Sequence, residues 1–503
     1  MDDAETGGKG VMQTSISEIK QKTVSGFFWR LCERLCAQVV TFSVTVVLAR
    51  ILVPEDYGLV AIVNVFIAIA DVLITGGLST SLIQKKEADE TDFSTIFYAS
   101  LVLALILYVI LFAAAPLISK LYKNDLLISV LRIMGIKFFI SAVNSVQQAY
   151  VARKMIFKKF FFATIIGTIV SAVVGITLAL QGVGVWALVA QSLVNPFIDT
   201  IILFITVKWY PHFLFSMERL KGLFGYGWKV MCANLSGTFF DKLRQLLIGT
   251  RYSAADLAFY NRGESLPYLI TSNITATLES VLFPAMSKFQ NDNVKLKNSV
   301  RHSIKMGGYV LFPLLVGLAA TSDKVVLILY GEKWNDAIFY VSILSLSMIP
   351  SIVSSINVQA IKAMGRSDMF LILEFIKKPL FVLIVLSCIF ISPIAMAWGG
   401  GAYGIISCVI NYFPNSRLLK YSALEQFSDI FPNILLSLAM GIPVYLIGKF
   451  SLNIFLTFAM QVIFGVIFYV LLSVMLSISS FYEIKVILEN KIFTKNRRIN
   501  SEH

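Results

Sequence analysis

Apolar stretches long enough to cross a lipid bilayer recur from Val24 to Ser480, and only short polar gaps separate them. A helix needs about 20 mainly apolar residues to cross the hydrocarbon. Charged residues make up 15% of the chain, against about 25% in soluble domains. Because a lipid-exposed backbone must satisfy its hydrogen bonds within each segment, these stretches predict an all-α integral membrane protein.

The spacing of these stretches predicts about fourteen transmembrane helices. They lie near 24–49, 57–80, 93–118, 126–150, 159–180, 184–207, 222–249, 254–283, 302–321, 337–361, 368–391, 398–413, 429–448 and 453–479.

Basic residues fall mainly in every second loop, such as Lys85-Lys86 and Arg153-Lys154, and in the tail from Lys491 to Arg498. Cytoplasmic loops of membrane proteins carry such an excess of Lys and Arg. We therefore predict a multi-pass protein of the bacterial cytoplasmic (inner) membrane, with both termini cytoplasmic. The net charge of +13 then reflects topology, and we expect no nucleic-acid partner.

No residue pattern indicates a metal, a cofactor or a disulfide. The five cysteines lie inside apolar stretches and lack the spacing of zinc ligands. The chain also lacks the Gly-x-x-x-x-Gly-Lys-Ser/Thr loop that cradles nucleotide phosphates. We expect neither metal nor cofactor, and no direct ATP hydrolysis.

The two halves of the chain resemble each other. Arg50 follows the first predicted helix and Arg251 the seventh, and Asn144 to Ala149 resemble Asn357 to Ala360. Six helices per repeat give both copies one orientation, as in transporters built from two parallel lobes. The predicted domains are a cytoplasmic tail at 1–22, lobes at 23–212 and 213–425, a helix pair at 426–480 and a basic cytoplasmic tail at 481–503.

Several motifs resemble a known family. They are Leu48 to Gly58 (Leu-Ala-Arg-Ile-Leu-Val-Pro-Glu-Asp-Tyr-Gly), Gly77-Leu78 with Leu82-Ile83-Gln84, Gly182 to Leu188, and Asp256 to Arg262. Together they resemble the polysaccharide transporter family, which contains Wzx-type flippases and exporters of O-antigen, capsule or teichuronic acid. That family belongs to the MOP flippase superfamily, with multidrug/toxin extruders and the lipid II flippase. The resemblance extends to about residue 480.

This resemblance implies two six-helix lobes around a central cavity that opens alternately to each side, plus two C-terminal helices. It also implies a flippase that moves undecaprenyl diphosphate-linked oligosaccharide from the cytoplasmic to the outer leaflet. Such a protein serves lipopolysaccharide or exopolysaccharide biosynthesis, and a polysaccharide polymerase is an expected partner.

Charged residues within the predicted helices indicate a polar cavity. On the first helix Arg30, Arg34 and Gln38 share a face, and Glu33 lies beside it. A charge at mid-membrane costs about 2.5–3.5 kcal/mol, so these side chains line a cavity or pair with one another. Arg suits bidentate contact with a diphosphate better than Lys does.

Three groups of candidate residues follow from this reasoning. The predicted cationic lining for the diphosphate is Arg30, Arg34, Arg244, Arg262 and Lys378. The predicted polar lining for sugar hydroxyls is Gln38, Asn144, Gln147, Gln148 and Gln245. The candidate carriers of a coupled ion are Glu33, Asp71, Asp199, Asp241 and Glu264.

The membrane potential gives export a direction. Each negative charge that moves outward through about 100 mV gains roughly 2.3 kcal/mol, and a diphosphate diester carries two. The sequence leaves H+ antiport, Na+ antiport and the potential alone as open alternatives.

Two other functions compete with this interpretation. A multidrug cation antiporter of the same superfamily would need a cavity lined mainly by carboxylates. In this chain the Arg and Lys residues within the predicted helices are at least as numerous as the acidic residues there. A membrane polysaccharide polymerase or ligase would need a sizeable outer loop with catalytic groups. The predicted outer loops are short, and His212, His302 and His503 fall in predicted cytoplasmic positions.

Overall fold

The computed structural model of the chain describes residues 25, 29–30, 32–450, 452–486 and 489. The described residues form helices and contain no β-strand, which confirms the predicted all-α class. The predicted tail at 1–22 lies outside the described residues, as does most of the tail at 481–503.

The chain divides into two compact units, and the division falls between Ala258 and Phe259. The first unit contains α1 (Cys32–Ile51), α2 (Pro54–Thr75), α3 (Leu78–Gln84), α4 (Glu90–Tyr122), α5 (Leu126–Met134), α6 (Lys137–Lys154), α7 (Phe157–Leu180), α8 (Val185–Val207) and α9 (Met217–Arg251). Helix α10 (Ala254–Ser287) begins in the first unit and continues into the second.

The second unit continues with α11 (Asn293–Ala320), α12 (Ser322–Leu329), a 3-10 turn (Glu332–Trp334), α13 (Ala337–Ser347), α14 (Ser351–Ala363), α15 (Ser367–Ile389), α16 (Pro393–Leu418), α17 (Ala423–Ile447) and α18 (Ile454–Met475). A last described helical segment covers 479–486.

Eleven segments of the described chain are long and apolar enough to cross a membrane. Three further helices, α9, α10 and α15, have the length but carry too many charged or polar residues to meet that apolarity. With these three the total equals the predicted fourteen. The polar helices are those on which the sequence places the candidate residues from Asp241 to Lys378.

Three of the predicted helices are each two helices in the structure. The second breaks at Gly76-Gly77, the fourth near Gly135 and the tenth between Ser347 and Ser351. At the first break, a Cβ on Gly77 would lie 2.5 Å from the carbonyl oxygen of Gly227 on α9. Only glycine permits two backbones to approach this closely, and helix α9 therefore packs tightly against α2 and α3.

Helix α9 also packs against α4, so its contacts within the first unit are extensive. The sequence assigns this helix to the second lobe, at 213–425, whereas the compact first unit extends beyond it to Ala258. The lobe boundaries therefore stay a prediction.

The motifs shared with the known family meet one another in the first unit. The Asp56 carboxylate of the Pro-Glu-Asp-Tyr-Gly element accepts a hydrogen bond from the backbone N–H of Val185. Gly184, the residue before Val185, has a φ of +60°, a conformation that favours glycine. A second close contact joins α2 to α10, because a Cβ on Gly58 would lie 1.8 Å from the carbonyl oxygen of Ala254. The glycines of these motifs therefore allow α2, α8 and α10 to begin in close contact.

The loop before α4 is fixed by a capping box. The Asp89 side chain accepts from the backbone N–H of Asp92, and the Asp92 side chain accepts from the backbone N–H of Asp89. The hydrogen bond from the Asp92 backbone lowers the pKa of the Asp89 carboxyl. Lys85 and Arg219 form ion pairs with Asp92, so this loop is tied to the first turn of α9.

The C-terminal helices pack within the second unit. Helix α17 packs against α11, and α18 packs against α17. The Tyr309 hydroxyl on α11 donates to the Ser473 hydroxyl on α18 at 2.9 Å, and the Tyr469 hydroxyl donates to the backbone carbonyl of Tyr309 at 2.8 Å. Buried hydrogen bonds thus attach α18 to α11.

Candidate functional site

A polar cavity of about 480 Å³ lies within the first unit, between Arg30, which precedes α1, the α2–α3 break, α6 and α8. Its described lining is Arg30, Thr75, Ser79, Thr80, Ile83, Ser141, Asn144, Ser145, Gln148, Ala149, Ala152, Asn195, Pro196 and Asp199. Most of these side chains can form hydrogen bonds without carrying a charge. The cavity is therefore a candidate site for a hydroxyl-rich molecule.

The lining of α6 comes from one face of that helix. Ser141, Asn144, Ser145 and Gln148 lie at positions i, i+3, i+4 and i+7, and this pattern places their side chains on one side. The predicted polar lining included Asn144 and Gln148 but missed the two serines. Their helical spacing is the signal that would have identified them.

Arg30 contributes the positive charge of the described lining. Its Nη1 lies 3.2 Å from Oε2 of Glu33, and its guanidinium carbon lies 4.2 Å from the centre of the Phe160 ring. The guanidinium is thus oriented by the Glu33 carboxylate on α1 and by an aromatic ring on α7. The sequence grouped Arg30 and Glu33 on helix 1, and the structure pairs them.

Asp199 contributes a buried carboxylate to the same lining. Its Oδ2 accepts a hydrogen bond of 2.9 Å from Nδ2 of Asn144, and the same Nδ2 donates to the Thr200 hydroxyl at 2.8 Å. Its Oδ1 is buried and has no hydrogen-bond partner among the described residues. The sequence predicted Asp199 as a buried acid without a local partner, and the structure supplies that partner from α6.

Glycine in α7 explains how α8 is held in this position. A Cβ on Gly167 would lie 3.0 Å from the carbonyl oxygen of Asn195, and one on Gly175 would lie 3.1 Å from the Gln191 side chain. The two helices therefore pack closely along their length. Asn195 and Asp199 line the cavity at this contact, and Nδ2 of Asn195 also lies 3.5 Å from the Thr168 hydroxyl on α7.

Gln147 lies apart from the cavity, although the sequence placed it in the polar lining. Its side chain is buried, and its Nε2 donates to the backbone carbonyl of Trp209 at 2.9 Å. Neighbouring side chains on a helix point about 100° apart, so the side chains of Gln147 and Gln148 contact different parts of the protein.

The other predicted residues of α1 and α2 lie outside this lining. Arg34 is exposed and Gln38 is partly exposed, both on α1. Asp71 on α2 forms an ion pair with Lys137, with 3.7 Å between Oδ2 and Nζ. The carboxylates of Glu33 and Asp71 thus both have cationic partners.

The remaining candidates lie on α9, α10 and α15. Asp241, Arg244 and Gln245 belong to α9, where Gln245 accepts a hydrogen bond of 3.3 Å from Lys242. In the second unit, the Arg262 guanidinium lies 5.7 Å from the ring centres of both Tyr330 and Trp334. Glu264 also lies on α10, and Lys378 on α15. The five predicted cations are thus divided between the two units.

On α15 the carboxylate of Glu374 forms an ion pair with Lys377. By sequence spacing alone, Lys378 at i+4 would be the expected partner of Glu374. Lys377 is the more deeply buried lysine, at 6% exposure, and a buried ammonium needs a compensating charge more than an exposed one does.

The repeated Asn elements form comparable contacts in the two units. In the first unit Asn144 on α6 binds α8. In the second, Asn357 on α14 accepts through its Oδ1 from Nδ2 of Asn415 on α16 at 2.7 Å, and from Gln426 at 3.2 Å. The Asn partner is thus the Asp199 carboxylate in the first unit and the Asn415 and Gln426 amides in the second.

Comparison with known proteins agrees with this architecture. Residues 47–339 match the model of the family described as polysaccharide biosynthesis protein. The chain is 24% identical to the teichuronic acid biosynthesis protein TuaB of Bacillus subtilis (strain 168), over 91% of this chain and 96% of TuaB. It is 25% identical to the lipopolysaccharide biosynthesis protein WzxC of Escherichia coli (strain K12), over 84% and 88%.

Solved structures share the fold. The lipid II flippase MurJ in an inward closed conformation matches with a TM-score of 0.72 at 15% identity, over 92% of this chain and 100% of MurJ. An inward-facing multidrug MATE transporter of the MOP superfamily matches with a TM-score of 0.58 at 17% identity, over 77% and 96%. The fold and the family predicted from the motifs are confirmed: the chain belongs to the polysaccharide biosynthesis protein family.

Proposed function

We propose that this protein is a flippase that carries undecaprenyl diphosphate-linked oligosaccharide from the cytoplasmic to the outer leaflet of the bacterial inner membrane. The observation that carries the proposal is the cavity among membrane-spanning helices whose lining combines many neutral hydrogen-bonding side chains with Arg30 and Asp199. Polar side chains are unfavourable within the hydrocarbon core of a membrane, so a polar cavity there indicates that a polar molecule enters it. The relatives TuaB and WzxC, which match over most of their length, are named for polysaccharide biosynthesis.

The diphosphate requires cationic partners, and we assign them to the predicted set. These residues are Arg30, Arg34, Arg244, Arg262 and Lys378. Arg34 on α1 is exposed, and Arg262 is held against two aromatic rings, which orients its guanidinium. The lipid tail remains in the bilayer throughout, so only the polar head needs protein contacts.

Asp199 is our choice as the carrier of a coupled proton. It is buried, lines the cavity and has one carboxylate oxygen without a described partner. Glu33 and Asp71 are already paired with Arg30 and Lys137, and neither belongs to the described lining of the cavity. The membrane potential adds a second driving force of roughly 2.3 kcal/mol per charge for each 100 mV.

Complementation of a deletion strain tests the function in cells. Cells that lack the gene should accumulate lipid-linked oligosaccharide and lose the exported glycan, and the intact gene should restore export. A variant with all five cations replaced by alanine should insert into the membrane but fail to restore export. A matched control replaces five exposed cations outside the cavity: Lys120, Lys295, Arg366, Lys449 and Lys485. Normal export by the first variant would refute the cationic lining.

A further inference from the structure

We infer that the cavity of the first unit holds an uncharged sugar of the oligosaccharide, and that the diphosphate binds elsewhere. This inference rests on the proposed function and assigns one part of the substrate to one site. It also changes the role of Arg30, which then positions the cavity wall and the sugar instead of binding phosphate.

The charges around the cavity argue against the diphosphate. Arg30 is the cation of the described lining, and Glu33 already balances it at 3.2 Å. Asp199 adds a carboxylate to the same lining. A diphosphate would bring about two further negative charges into this low-dielectric space, where like charges repel strongly.

The neutral lining argues for a sugar. Three helical segments supply the hydroxyls and amides: Thr75, Ser79 and Thr80 from the α2–α3 break, the α6 face defined above, and Asn195 from α8. Sugar hydroxyls and acetamido groups both donate and accept hydrogen bonds, as this set of side chains does. The volume of about 480 Å³ lies within the range of about 300–1,000 Å³ usual for small-molecule sites.

Asp199 sets a further requirement on the sugar. Its carboxylate belongs to the lining of the cavity. A carboxylate there favours a sugar hydroxyl or amide N–H beside it, whereas it repels a uronic acid carboxylate or a phosphate. The cavity therefore selects a neutral sugar with a hydrogen-bond donor.

Thr80 offers a clean test, because Thr80→Val removes a lining hydroxyl and nearly conserves volume. We would measure Kd in nanodiscs for two probes: the lipid-linked oligosaccharide that accumulates in deletion cells, and undecaprenyl diphosphate without a glycan. Loss of one neutral hydrogen bond should weaken binding of the first probe about fivefold, with binding of the second unchanged. Gln148→Leu should act in the same direction.

Thr250→Val is the matched control, since Thr250 lies on α9 outside the cavity lining and its hydroxyl donates to the backbone carbonyl of Leu247. It should leave both Kd values unchanged. Equal weakening of both probes by Thr80→Val, or no weakening of either, would overturn the sugar site while leaving a flippase intact. If the intact protein neither binds nor moves the oligosaccharide probe, the proposed function fails, and this inference fails with it.

Discussion

Nδ2 of Asn144 on α6 lies 2.9 Å from Oδ2 of Asp199 on α8, and this hydrogen bond joins two helices that both line the polar cavity. The second carboxylate oxygen, Oδ1, is buried and has no hydrogen-bond partner among the described residues, because Asn144 divides its two N–H donors between Asp199 and Thr200. The pair therefore fixes the position of the carboxylate and leaves Oδ1 able to bind a proton.

Asp199→Asn should abolish the response of transport to a pH gradient. In liposomes at zero membrane potential, a gradient of one pH unit supplies about 1.36 kcal/mol per coupled proton. The initial rate of transport by the intact protein should therefore rise when this gradient is applied. The asparagine variant cannot ionise, so its initial rate should not change with the gradient. Asp71→Asn serves as the matched control and should still respond. The opposite pattern would assign proton coupling to Asp71.

Gly58→Ala should destabilise the protein by about 1–3 kcal/mol or more, as overpacking does. The new methyl group would lie 1.8 Å from the carbonyl oxygen of Ala254, and neither backbone can move away easily. The thermal stability of the purified protein in detergent measures this change. Gly222→Ala on α9 is the control, because no atom lies within 4 Å of its Cβ position. Equal stability of the two variants would contradict the close contact.

Arg153→Ala should lower stability by about 1.5–3 kcal/mol, the usual contribution of hydrogen bonds from a charged group. The guanidinium donates to the backbone carbonyls of Leu82 and Lys86 at 2.9 and 2.6 Å, and also to that of Lys85. It thereby supplies hydrogen-bond donors to the backbone carbonyls at the C-terminal end of α3, which lack partners within the helix. Arg153→Lys should recover only part of the loss, since one ammonium cannot span these carbonyls. The ammonium of Lys154 lies near the Tyr150 ring. As the control, Lys154→Ala should lower stability much less than Arg153→Ala does.

Asp429→Ala should destabilise the second unit by about 2–3 kcal/mol. The buried Asp429 carboxylate accepts from Nη2 of Arg301 at 2.8 Å and from the Tyr421 hydroxyl at 2.7 Å, and pairs with Lys305 at 3.0 Å. Burial and this hydrogen bond raise the pKa of Tyr421, which keeps the hydroxyl protonated as a donor. The exposed pair Arg366–Asp368 provides the control: Asp368→Ala should leave the melting temperature unchanged. A small effect at Asp429 would show that other contacts between α11 and α17, such as the Lys297–Glu425 ion pair, are sufficient to hold the two helices together.

The helices and the family were predictable because their signals are local. An apolar stretch of bilayer length specifies a helix by itself, and the Pro-Glu-Asp-Tyr-Gly element carries its resemblance within a few residues. The break at Gly76-Gly77 was missed, since its cause is the approach of Gly227 from a distant part of the chain.

The site was predictable only in part, because its geometry depends on contacts between helices. Asn144 and Asp199 were both singled out, but nothing in the sequence indicates that one binds the other. Gln147 and Gln148 are identical side chains in adjacent positions, and only tertiary packing decides that one binds Trp209 while the other lines the cavity. The hydroxyl residues Ser79 and Thr80 gave no signal, since such residues are common in membrane helices.

A leaflet assay with purified protein in liposomes tests the central claim most directly. Undecaprenyl diphosphate-linked oligosaccharide would be placed in the inner leaflet, and its exposure to an external glycan-modifying enzyme followed with and without a membrane potential. The account predicts protein-dependent exposure that the potential accelerates and that Arg34→Ala reduces. No exposure of the glycolipid, together with proton-driven efflux of an organic cation, would contradict it and favour a multidrug antiporter.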